Sequence, residues 1–97
     1  MDIQLTNRNA IITGGSRGLG KAMAKEFVRS GANVALIARN LKKLTETKNE
    51  ISGLGTGKVS IIAADIRIAK DCERSVHEAE NTHGQIDILI NNAGTSQ

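Results

Sequence analysis

Thr13-Gly14-Gly15-Ser16-Arg17-Gly18-Leu19-Gly20 follows directly on the apolar run Ala10-Ile11-Ile12. A glycine-rich turn between a buried strand and a helix suits a phosphate. Glycine lets the backbone come close where a Cβ would collide, and the free N–H groups and dipole of the following helix face the negative charge. Beyond the turn, Leu19, Met23 and Phe27 recur at i, i+4 and i+8, with Lys21, Lys25 and Arg29 on other faces. This spacing predicts an amphipathic helix whose inward stripe is Leu19, Met23 and Phe27, stopped by Gly31.

The alternation continues to the end of the chain. Asn33 to Ala38 is apolar at both parities, as expected of a parallel strand covered on both faces. Leu41, Leu44, Lys48 and Ile51 mark a second helical stripe, followed by Gly53-Leu54-Gly55-Thr56-Gly57, which reads as a flexible loop. Val59 to Ala64 is the next strand, closed by Asp65. A third helix is expected over about Asp71 to His83, with Cys72, Val76 and Ala79 inward and Gly84 ending it. Ile86 to Ile90 is the fourth strand, followed by Asn91-Asn92-Ala93-Gly94. Four strands joined by three helices predict an α/β, Rossmann-like doubly wound parallel sheet.

Composition narrows the classes. The 97 residues are 39% apolar and 24% charged, with a net charge of +3 and no clustering of Lys and Arg, so neither a nucleic-acid nor a membrane partner is expected. The longest apolar run, Val34 to Ala38, is too short to span a bilayer. Met1-Asp2-Ile3-Gln4-Leu5 lacks a basic n-region, so no secretory signal is expected. The single cysteine, Cys72, reads as a small core residue in a reducing, cytoplasmic setting. With one Cys and two His, no metal site is expected; His77 and His83 read as solvated surface residues. Asp87 is expected to support the loop after its strand.

Two further readings bear on the ligand. Gly15 to Lys21 fits the first seven positions of a P-loop, but Ala22 stands where a hydroxyl would hold magnesium. A P-loop nucleotide-binding protein is therefore a minor alternative. At the end of the second strand an NAD site places a carboxylate for the ribose 2′-hydroxyl, whereas a 2′-phosphate needs a cation. Here the chain reads Ala38-Arg39-Asn40. Arg39, with Arg17 in the turn, favours NADP (NADPH) over NAD, because a guanidinium fork matches a phosphate.

The turn, Asp65 at the end of the third strand and Asn91-Asn92-Ala93-Gly94 together resemble the TGxxxGxG turn, the adenine-facing acid and the NNAG motif of the short-chain dehydrogenase/reductase family. The resemblance runs from about Thr6 to the end. It implies that residues 1–97 are part of one NAD(P)-binding Rossmann domain. The implied cofactor-binding set is Thr13, Gly14, Ser16, Arg17, Gly18, Leu19 and Gly20, then Arg39, Asp65 with Ile66, and Asn91, Ala93 and Gly94. In the family Asn91's counterpart steadies the central sheet.

Family members transfer a hydride between NAD(P) and a carbonyl or alcohol. Their tyrosine acid/base, lysine, serine and asparagine all lie downstream of NNAG. This sequence has no tyrosine. The chain is therefore expected to carry no catalytic residue and to be inactive alone, as a truncated product, a fragment, or one half of a split protein. Expected partners are the dinucleotide, a complementary C-terminal half, or a second copy meeting the exposed sheet edge. In the family's strand order, 3-2-1-4, the strand at Ile86 to Ile90 lies at that edge. The alternative from another class is a non-catalytic nucleotide-binding or interaction module.

Overall fold

The computed structural model describes residues 4–92. Its elements run β1 (Asn9–Thr13), α1 (Gly18–Arg29), β2 (Asn33–Ala38), α2 (Leu41–Ile51), β3 (Val59–Ala63), α3 (Ala69–His83) and β4 (Ile88–Asn91). All three pairings are parallel, in the order β3-β2-β1-β4. The expected doubly wound sheet and its strand order are both present.

The two central strands explain the apolar runs. Every residue of β1 is buried, and so is the interior of β2. On one face, Ile12, Val34 and Leu36 pack under Ala24 and Val28 of α1 and Leu44 and Ile51 of α2. On the other, Ile11, Ala35, Ile37 and Ile62 pack under Ala79 of α3. A strand covered on both faces has no polar side to alternate with. Among the described residues that second face is covered by α3 alone, which packs on β1, β2 and β3. Leu89 of β4 is left 65% exposed there.

The helical stripes are rotated from their expected positions. In α1 the buried residues are Gly20, Ala24 and Val28, while Leu19 is 65% exposed and Met23 and Phe27 are half-buried at the margin. The small-residue face wins because the helix start must lie close against the glycine turn, where bulk is excluded. In α2, Thr47 is buried with Leu44 and Ile51, and Leu41 is exposed. In α3, Ser75 and Ala79 face the sheet, Cys72 is half-buried and Val76 is 42% exposed. A stripe displaced by one residue keeps the same 3.6 period, so periodicity alone does not fix the phase.

Closure of α1 is a Schellman motif: the Ala32 N–H reaches the Phe27 carbonyl at 3.0 Å and the Gly31 N–H reaches that of Val28 at 3.0 Å. The glycine loop expected to be flexible is packed instead. A Cβ on Gly55 or Gly57 would collide with the backbone of Val28 or Ala32 respectively, so both glycines lie flush against the end of α1.

A line of polar side chains ties the strands together at the end remote from the glycine turn. The Asn9 side chain donates to the Gln85 carbonyl at 2.9 Å and accepts from the Asn33 amide at 2.9 Å. The Asn33 side-chain oxygen, Oδ1, accepts from the Lys58 N–H at 3.0 Å. Asp87 accepts from the Asn9 N–H at 2.9 Å. Asp87 therefore supports the entry to β4 and not, as expected, the loop that leaves it, because it precedes the strand's first paired residue.

His83 also departs from expectation. It is half-buried at the end of α3, with Nε2 2.8 Å from Ser60 Oγ of β3. Burial, with the nearby Lys58 charge, pushes its pKa below the usual histidine value. His77 is exposed, as expected.

Candidate dinucleotide cleft

The carboxyl ends of β1, β2 and β3 open into a cleft of about 960 Å³. In an open parallel sheet this is the end at which ligands bind. Its lining brings together Gly14, Ser16 and Arg17 of the turn, Ile37 and Ala38 at the end of β2, Arg39 to Leu41 and Lys43 after it, Ala64 to Arg67 after β3, and Asn92 after β4. Of the residues expected from sequence, Gly14, Ser16, Arg17, Arg39, Asp65 and Ile66 meet there. Ala93 and Gly94 lie outside the described residues.

The others do not line the cleft. Gly20 is buried in α1, and a Cβ there would lie 2.5 Å from the Gly14 carbonyl oxygen and 2.8 Å from Asn92 Nδ2. Gly18 takes φ 44° and Gly14 φ 69°, conformations that side chains disfavour. Together they fold the turn tightly against the helix start. Gly18 and Leu19 are exposed at that start. Thr13 Oγ1 lies 2.9 Å from Asn91 Oδ1, to which it donates, and accepts from the Asn92 N–H at 3.0 Å. These bonds join the ends of β1 and β4.

The electrostatics suit an anion. No side chain caps α1 and no acid stands in its first turn. By contrast, α2 is capped by Asn40, which accepts from the Lys43 N–H at 3.1 Å. Among the lining residues four cations, Arg17, Arg39, Lys43 and Arg67, face one carboxylate, Asp65. The excess favours a polyanion over a neutral ligand. Asp65 is held by Arg67 through Nε at 3.0 Å, Nη2 at 2.9 Å and the backbone N–H at 3.0 Å. The Arg67 side chain, then its backbone N–H, hold the Asp65 carboxyl down at about 2, and Arg39 adds a weaker attraction.

Sequence reasoning did not assign Lys43, Arg67 or Asn92 to the site. Asn92 adjoins the residue that was named. Lys43 stands in the first turn of α2 and Arg67 in the turn after β3, and only the sheet brings those two segments to one opening. A usable signal existed for Arg67: Asp followed two residues later by a cation is the spacing of an Asx turn, whose carboxylate bonds the i+2 N–H.

A sequence profile described as short chain dehydrogenase matches residues 8–97. The chain belongs to this family. A curated relative, 11-beta-hydroxysteroid dehydrogenase-like 4A of Arabidopsis thaliana, is 35% identical over 94 residues, which is 97% of this chain and 31% of the relative. L-sorbose reductase from Gluconobacter frateurii, solved with NADPH and L-sorbose, superposes with a TM-score of 0.91 at 33% identity, over 100% of this chain and 37% of that one. 3-Ketoacyl-(acyl-carrier-protein) reductase from Brucella melitensis, solved with NADH, gives 0.80 at 32% identity, over 89% and 34%. The family member described here thus spans about a third of the length of the relatives it matches. Family membership sets aside the P-loop alternative. Among the described residues no helix is long and apolar enough to cross a membrane, and no group of His, Cys, Asp and Glu has the arrangement of a metal site.

Proposed function

We propose that this chain is the NADP(H)-binding segment of a short-chain oxidoreductase that moves hydride between NADP and a carbonyl or alcohol substrate. The observation that carries the cofactor preference is the pairing of Arg17 and Arg39 in one cleft, with Asn40 and not a carboxylate after β2. A 2′-hydroxyl would seek an acceptor there, whereas a 2′-phosphate finds guanidinium forks. The pyrophosphate takes the uncapped start of α1. When bound, the dinucleotide supplies the hydride, and the residues described here hold and orient it.

The sequence contains no tyrosine. We assign the acid/base step to polypeptide outside these 97 residues. Support for where that polypeptide joins comes from β4, which among the described residues pairs with β1 alone and leaves Leu89 uncovered. An apolar strand edge of this kind invites a further strand. The free Cys72 is consistent with a reducing compartment such as the cytoplasm.

The test is a fluorescence titration of the chain with NADPH and NADH, using Mg-ATP as a comparator. No Trp or Tyr interferes. NADPH is expected to bind about 10–100-fold more tightly than NADH, the scale of charge-assisted bonds to one phosphate. Arg39→Asp should abolish that preference. NADH binding as tightly as NADPH would refute the assignment.

A further inference from the structure

Arg67 is not needed to explain phosphate binding, yet it is the most firmly placed cation in the cleft. Its fork closes on both oxygens of Asp65, and its own N–H adds a third donor, on Oδ1. The backbone beneath is fixed as well: the Asp65 N–H donates to Asp71 Oδ2 at 2.8 Å. The Arg67 side chain nonetheless remains 73% exposed while lining the cleft. An exposed ion pair between residues two apart contributes little to stability. What such a pair does achieve is orientation, because two parallel N–H···O bonds fix a carboxylate's plane.

The family resemblance already implies that Asp65 faces the adenine; from this geometry we infer that Arg67 is the positioning residue for that contact, orienting the Asp65 carboxylate toward the exocyclic amino group and offering its own plane to the purine. The inference rests on the proposal that the cleft takes a dinucleotide. A carboxylate has about four acceptor positions. Two of the donors from Arg67 fall on Oδ1 and one on Oδ2, so acceptor capacity remains on Oδ2. An ionised carboxylate only accepts. It welcomes the 6-amino group of adenine and repels the 6-oxo group of hypoxanthine. The surroundings fit a purine in other respects: Ala64 and Ile66 supply apolar surface in the same wall, and a guanidinium stacks on aromatic rings.

The experiment compares binding of NADPH and its hypoxanthine analogue by fluorescence titration. The proteins are the full chain, Arg67→Ala, Arg67→Lys, Asp65→Asn and the Asp65→Asn/Arg67→Ala double variant, each checked for its fold by circular dichroism. The unsubstituted chain should prefer NADPH about tenfold, the scale of one hydrogen bond to a charged group. Arg67→Ala should reduce that preference to about twofold. Arg67→Lys should not restore it, because a lysine keeps the charge but lacks the fork. In the Asp65→Asn background, Arg67→Ala should change the preference no further, since the two residues act as one unit. An unchanged preference in Arg67→Ala, or full restoration by lysine, overturns the inference and leaves the cofactor assignment intact. Failure of the unsubstituted chain to bind either dinucleotide overturns both.

Discussion

Adding one methyl group at Gly20 should damage both the fold and the site, whereas the same change at Gly15 should be tolerated. A Cβ at Gly20 meets backbone, the Gly14 carbonyl oxygen at 2.5 Å, and the Asn92 amide at 2.8 Å. Neither can turn aside without moving the glycine turn or the end of β4. Overpacking of this kind costs about 1–3 kcal/mol. Alanine regains up to about 1 kcal/mol of helix propensity. Subtracting the full regain leaves a net loss of about 0–2 kcal/mol, centred near 1 kcal/mol, which lowers the urea midpoint by about 0.5–1 M at a slope of about 1–2 kcal/mol/M. A Cβ at Gly15 approaches Leu36 Cδ2 at 2.7 Å, the far end of a side chain, which yields by a few tenths of an ångström more readily than backbone does. Its cost should stay below about 1 kcal/mol, partly offset by the reduced freedom of the unfolded chain. Urea unfolding followed by circular dichroism measures both variants, and NADPH titration reports on the turn. Gly20→Ala should also bind at least tenfold more weakly, a loss of about 1.4 kcal/mol. A Gly20→Ala chain matching its parent in midpoint and affinity would refute the idea that the close approach of α1 to the turn builds the site.

Further substitutions probe other parts of the molecule. Thr13→Val removes the hydroxyl that donates to Asn91 and accepts from the Asn92 N–H, and should destabilise the chain by about 1–3 kcal/mol in the same unfolding assay. Ser75 Oγ is buried without a hydrogen-bond partner among the described residues, so Ser75→Ala should raise the unfolding midpoint, by about 1 kcal/mol in stability. Because the His83 pKa is lowered on folding, the unfolded chain binds more protons between the folded value and the ordinary 6.5. Stability should therefore fall as pH drops below about 6.5, and His83→Gln should flatten that slope in melts from pH 7 to 5. Asp65 acts in a separate window: its folded value near 2 contributes stability above the ordinary 3.8 that is lost as pH falls from there towards 2.

The amino-acid sequence by itself determined the fold class, the strand order through its family resemblance, and most of the cleft. The reasons are local. Asn33 to Ala38 is apolar at both parities, which only a doubly covered strand tolerates, and a glycine turn placed straight after β1 and before α1 has one geometric use. Arg17, Arg39 and Asp65 were legible because each stands at the end of a strand, where the topology must deliver it to one opening.

Only the tertiary structure decided which face of each helix is buried and what each polar side chain holds. Leu19 and Val76 look like core residues, yet both are exposed. The phase of α1 is set by how near its backbone must come to Gly14, a distance that no periodicity contains. Asp87, His83 and Arg67 followed the same rule. Their partners, Asn9, Ser60 and the two oxygens of Asp65, are chosen by the register of neighbouring strands and the curl of one turn. Charge and spacing mark such residues as polar; packing alone selects what they bond.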